Sequence, residues 1–109
     1  MSLEVTQSEI NGFTVLNVKG KLDVTASEQF TATAVASAEK NPKIVLNFSE
    51  LEYISSAGLR AVLLVGKKAA AGGGSLAVSG AVAVVADVFK ISGFDSIIRM
   101  CADTKEITG

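Results

Sequence analysis

The 109-residue chain contains no histidine and a single cysteine, Cys101. Without imidazole, the commonest base for activating a serine nucleophile is missing, and a structural zinc cluster is out of reach. A lone thiol cannot close an intramolecular disulfide, which makes a reducing cytoplasm the expected compartment and Cys101 a small apolar filler. Neither sign of charge is in excess, since ten basic side chains face eleven acidic ones. That balance excludes the broad basic footprint of a protein that binds nucleic acid directly or sits on anionic lipid. No apolar run reaches the roughly 18 residues of a membrane span. Met1-Ser2-Leu3-Glu4 offers neither the basic nor the apolar region of a signal peptide, so no processing and no membrane insertion are expected. The run Gly72-Gly73-Gly74 lacks the lysine and hydroxyl of a phosphate-binding loop. With paired carboxylates also missing near the serine motif described below, no catalytic residue, metal ligand or cofactor is expected.

What is present reads as one α/β domain over 1–109, long enough to bury about two thirds of its unfolded surface. Leu3, Val5 and Gln7 alternate with polar residues, and Asn11-Gly12 supplies a hairpin turn into a second strand, Phe13 to Lys19. Gly20-Lys21-Leu22-Asp23 is expected to break that strand. Thr25 with Glu28 forms a capping box for a helix running to about Lys40, with Phe30, Ala34, Val35 and Ala38 on its apolar face. Asn41-Pro42 stops it before a strand from Lys43 to Phe48. A second helix follows, strongly apolar from Leu59 to Ala71, where Leu59, Val62, Leu63 and Gly66 recur at helical spacing. The triple glycine ends it. Ser75 to Ser79 is a short strand, Gly80 turns into a third helix lined by Val82, Val85, Ala86 and Phe89, and Ile91-Ser92-Gly93-Phe94 closes that helix. Ile97 to Met100 completes the pattern as an edge strand before a polar tail. Right-handed crossovers make the later strands parallel, so the expected fold is a mixed β-sheet opened by an antiparallel hairpin, with helices mainly on one face.

The richest segment is Tyr53-Ile54-Ser55-Ser56-Ala57-Gly58-Leu59-Arg60, two serines where a strand end gives way to a helix. Such a position lies at the positive end of the helix dipole and suits a phosphate. In the plainer structural role, Ser55 is the helix N-cap, stabilising by about 1 kcal/mol. Ser56 then becomes the first helical residue and points outward, which is compatible with modification. Asp23 reads either as a turn residue whose charge suits the following helix or as an interface carboxylate near the serines. Ser79-Gly80 is expected to rim the same edge, because the carboxyl ends of parallel strands gather there.

Taken together, Gly20-Lys21-Leu22-Asp23, Val45-Leu46-Asn47-Phe48-Ser49, the Tyr53 to Arg60 motif, Ser79-Gly80 and Ile91-Ser92-Gly93-Phe94 resemble the STAS family, the domain of anti-sigma factor antagonists. The resemblance implies a switchable binding module. The unmodified form binds an anti-sigma factor that is also a serine kinase and releases the sigma factor, phosphorylation by that kinase ends the interaction, and a serine phosphatase restores it. The family's modified serine falls on Ser56, two positions before Gly58, with Ser55 as second choice because it stands where the family often carries aspartate. Asn47 stands where many members carry an acid. The implied partner-binding residues are Asp23, Ser55, Ser56, Gly58 and Ser79, on a monomer or weak dimer. The alternative is a constitutive subunit of a transport or stress-sensing assembly with structural serines. A small enzyme or nucleotide-binding protein fits the residues least well.

Overall fold

The computed structural model describes residues 3–93 and 98–101, apart from the side chains of Val84 and Ser92. Alternation does build the first hairpin: β1 (Leu3–Ile10) pairs antiparallel with β2 (Phe13–Leu22), from Leu3 opposite Gly20 to Ile10 opposite Phe13. The turn between them takes positive φ at both Asn11 (51°) and Gly12 (85°), the primed geometry that matches strand twist.

Two strands run further than the sequence predicts. β2 does not end at Gly20 but continues to Leu22, because Gly20 adopts φ 107° and the strand absorbs the irregularity as register shifts without losing its partner. That partner is β3 (Lys43–Ile54), which correspondingly continues past Phe48. Ser49, Glu50, Glu52 and Tyr53 are exposed while Leu51 and Ile54 stay buried, a spacing of three that the register shift between the Gly20–Leu51 and Lys21–Tyr53 pairs accommodates. The two strands finish together, Lys21 opposite Tyr53 and Leu22 opposite Ile54.

Helix α1 (Val24–Lys40) begins directly after β2. Its cap is therefore Asp23, held extended at φ −90° and ψ −176°, and not Thr25; Asp23 Oδ1 accepts from the Ala26 amide at 2.9 Å, while Thr25 and Glu28 are exposed. Ala26, Phe30, Ala34 and Ala38 face the sheet. At the far end Asn41 donates to the Gly12 carbonyl at 3.0 Å and accepts from the Lys43 amide at 3.1 Å, tying the helix end to the hairpin.

α2 (Ser56–Ala71) buries Leu59, Ala61, Val62, Val65 and Ala69, and ends at Gly72. Leu63 and Gly66, expected on the same face, are only half-buried. β4 (Ser75–Ser79) falls where the sequence places it, and α3 (Ala83–Ser92) buries Val85 and Phe89 before a left-handed Gly93, whereas Val82, expected on the same face, is the exposed N-cap residue. The edge strand is observed as β5 (Arg99–Cys101); Phe94, Ile97 and the polar tail lie outside the described residues.

The sheet order is β1-β2-β3-β4-β5, antiparallel in its first pair and parallel thereafter. Buried side chains of all three helices share one core with Leu16, Val18, Leu46, Phe48 and Val78, and the rings of Phe48 and Phe89 meet at 6.3 Å. A separate small cluster of Phe13, Val15, Val45 and Ala77 lies on the other side of the sheet, as the strand period of two requires. The helices thus occupy one face, as expected.

Candidate functional site

Because β2 and β3 end side by side, the two helices that follow start side by side. The joint between them is the Leu22 carbonyl. It accepts from the Ser55 amide at 2.9 Å and from the Ser55 hydroxyl at 3.2 Å. Ser55 Oγ in turn accepts from the Gly58 amide at 3.0 Å, which makes Ser55 the N-cap of α2, at φ −88° and ψ 171°. Its hydroxyl therefore both donates and accepts inside the fold, and the residue is only 8% exposed. Gly58 is required by close approach: a Cβ there would lie 2.7 Å from the Leu22 carbonyl oxygen and 2.8 Å from Leu22 Cγ.

Ser56 occupies the first position of α2 and is exposed. No acidic residue lies in the first turn of α2, so nothing on that turn compensates the positive helix end. Asp23, which directly follows Leu22, caps the neighbouring helix. The structure thus brings together Asp23, Ser55, Ser56 and Gly58.

Ser79 is placed elsewhere. It is fully buried, paired with Asn47 and Cys101, and followed by Gly80, which packs against Ser49 and Asn47. β3 runs on well beyond that level, so the carboxyl ends of β3 and β4 do not gather on one edge. Asn47 belongs to the same level: its amide donates to Asn17 Oδ1 at 2.8 Å, its oxygen accepts from the Ser49 amide at 3.1 Å, and Asn17 donates onward to Ser8. This polar ladder across the sheet fixes strand register and stands apart from the serine turn.

Sequence reasoning missed a groove of about 410 Å³ between α1 and α2, bordered by Ser27, Glu28 and Thr31 on one side and Ala57, Arg60 and Leu64 on the other. The hydroxyls of Ser27 and Thr31 are spent on their own helix, donating to Val24 and Ser27 carbonyls at 2.8 and 2.7 Å. Glu28 and Arg60 remain as its charged groups. The one sequence signal was the position of Arg60, one turn after Ser56. Val24, Tyr53 and Leu64 add exposed apolar surface at this end of the fold and on the two helices.

Among the described residues no group of three or more acidic or cysteine side chains could hold a metal ion, and no helix is long and apolar enough to cross a membrane.

A profile of the STAS domain matches residues 4–107. The chain belongs to the STAS family. It is 38% identical over 105 residues to BtrV of Bordetella bronchiseptica, which is named as an anti-sigma factor antagonist, covering 95% of this chain and 90% of that protein. An anti-sigma factor antagonist structure from Thermotoga maritima superposes with a TM-score of 0.84 at 20% identity, over 94% of this chain and 89% of that one. The Bacillus cell fate determinant SpoIIAA in its phosphorylated form superposes with a TM-score of 0.70 at 24% identity, over 94% and 95% of the two chains. At these identities the two structures speak for the STAS fold, a mixed five-stranded sheet with three helices on one side here.

Proposed function

We propose that this STAS domain is an anti-sigma factor antagonist whose partner-binding surface is the paired helix start around Ser56, and that phosphorylation of Ser56 ends the binding. The observation that carries the choice of residue is the contrast between the two serines. Ser55 is buried and already bonded in both directions, so a kinase would have to dismantle the turn to reach it. Ser56 is exposed and outside that network. The name of the Bordetella relative supports the antagonist role, and the phosphorylated state named for SpoIIAA supports modification as its control.

A phosphate on Ser56 adds about 1.5 to 2 negative charges at the positive end of α2, a placement the fold tolerates. A partner surface shaped around a hydroxyl does not tolerate it, because a dianion enters a dry contact only at the cost of desolvation. Asp23 and Ser56 would touch the partner, whereas Ser55 and Gly58 contribute by fixing the shape of the turn. The implied partners are an anti-sigma factor serine kinase and a serine phosphatase, acting in the cytoplasm on a protein that itself performs no catalysis.

The test is incubation with each candidate anti-sigma kinase of the same organism and ATP, followed by intact mass and site mapping. One phosphate is expected, on Ser56. Label on Ser55, or none with any kinase, would sink this reading and leave the constitutive-subunit role ahead.

A further inference from the structure

We infer that Arg60 is a built-in clamp for the phosphate on Ser56: the guanidinium folds back one helical turn and holds the phosphoryl oxygens on α2 itself. The inference rests on the reading of Ser56 as the modified residue. Ser56 and Arg60 are both exposed and four residues apart on one helix, which places their Cβ atoms about 5–6 Å from each other. The order, anion before cation, is the one that also agrees with the helix dipole. Arginine presents a planar fork of donors that matches two phosphoryl oxygens at once.

Two further features bear on the arginine. The amides at the start of α2 are partly spent, since Gly58 donates to Ser55 Oγ and Leu59 to the Ser55 carbonyl. A phosphate on Ser56 then has the helix dipole and the amides of the first turn other than Gly58 on one side, and a side-chain cation one turn on can add to them. Arg60, for its part, makes no ion pair among the described residues; Lys19 with Glu50 does so on β2 and β3. Among the described residues, the other charged groups near the paired helix start are Lys21, Asp23, Glu28 and Glu52. Three of these four are acidic, and Glu28 lies across the groove on α1. Closing the clamp withdraws the one cation among the described residues of the groove from a partner in the same event that adds the phosphate. Modification would then change the groove as well as the residue that carries the phosphate.

The experiment needs no kinase. Phosphoserine is installed at position 56 during translation, and the ³¹P shift of the full chain is followed against pH at low salt for three forms: unchanged, Arg60→Gln and Arg60→Lys. A neighbouring cation favours the dianion, so the second ionisation of the phosphate should fall in the unchanged chain by about 0.15–0.4 unit relative to Arg60→Gln. Arg60→Lys should recover part of the difference, and 1 M salt should erase most of it. Equal midpoints in the arginine and glutamine forms would overturn the clamp. Failure of every kinase to label Ser56 would instead strike the proposed function and leave this titration as it stands.

Discussion

α1 and α2 start at neighbouring points, after strands that end opposite each other, and each is capped by a side chain accepting from the amide three residues on. They differ in charge and depth. The Asp23 cap of α1 is half-buried and anionic, so the positive end of that helix already has its counter-charge, and the next residue is the apolar Val24, 69% exposed. The Ser55 cap of α2 is buried and neutral, and the next residue is an exposed hydroxyl. An aspartate cap completes a helix end electrostatically, whereas a serine cap satisfies its amide geometrically and leaves the field open for an anion added later. The comparison explains how two similar turns can differ so much in what they are able to do.

The largest effect expected from testing that contrast is on binding. Ser56→Asp should weaken the complex with the anti-sigma factor by about 100-fold or more in a calorimetric titration, while thermal unfolding stays near that of the unchanged protein. Early melting would mean that the switch acts through the fold, and unchanged affinity would remove Ser56 from the interface.

Next in size is Gly58→Ala. The equivalent position after the other cap is Ala26, which already carries a methyl group. At Gly58 the added Cβ collides with Leu22, and denaturant unfolding should show a loss of about 2 kcal/mol. A neutral result would mean that the joint yields easily. Smallest is the difference between the caps themselves. Ser55→Ala removes both an N-cap and a donor to Leu22 and should cost about 1.5 kcal/mol, against about 1 kcal/mol for Asp23→Ala. A larger loss at Asp23 would reverse the ranking of the two turns.

Local signals were the legible ones. Ser55 as cap and Ser75 to Ser79 as a strand follow from residue type and flanking turn residues over a few positions. The extensions of β2 past Gly20 and β3 past Phe48 were not legible, because each is sustained by pairing with the other and not by its own propensity. The sequence points to Thr25 and not Asp23 as the cap for the same reason: the helix starts where β2 stops, and only the partner strand sets that point. Level strand ends would put Ser79 beside the serines, whereas β4 stops opposite Asn47 while β3 continues to Ile54. The groove joins Glu28 to Arg60 across two helices, and no sequence window contains both.

The Leu22 carbonyl, gripped twice by Ser55, also has a mechanical meaning. It sits immediately before the residue that starts α1 and is held by the residue that starts α2, so it works as a pin between the end of β2 and the start of α2. A partner that levers Ser55 away would uncap α2 and unhook it from β2, while the bonds that start α1, both made by Asp23, would stay in place.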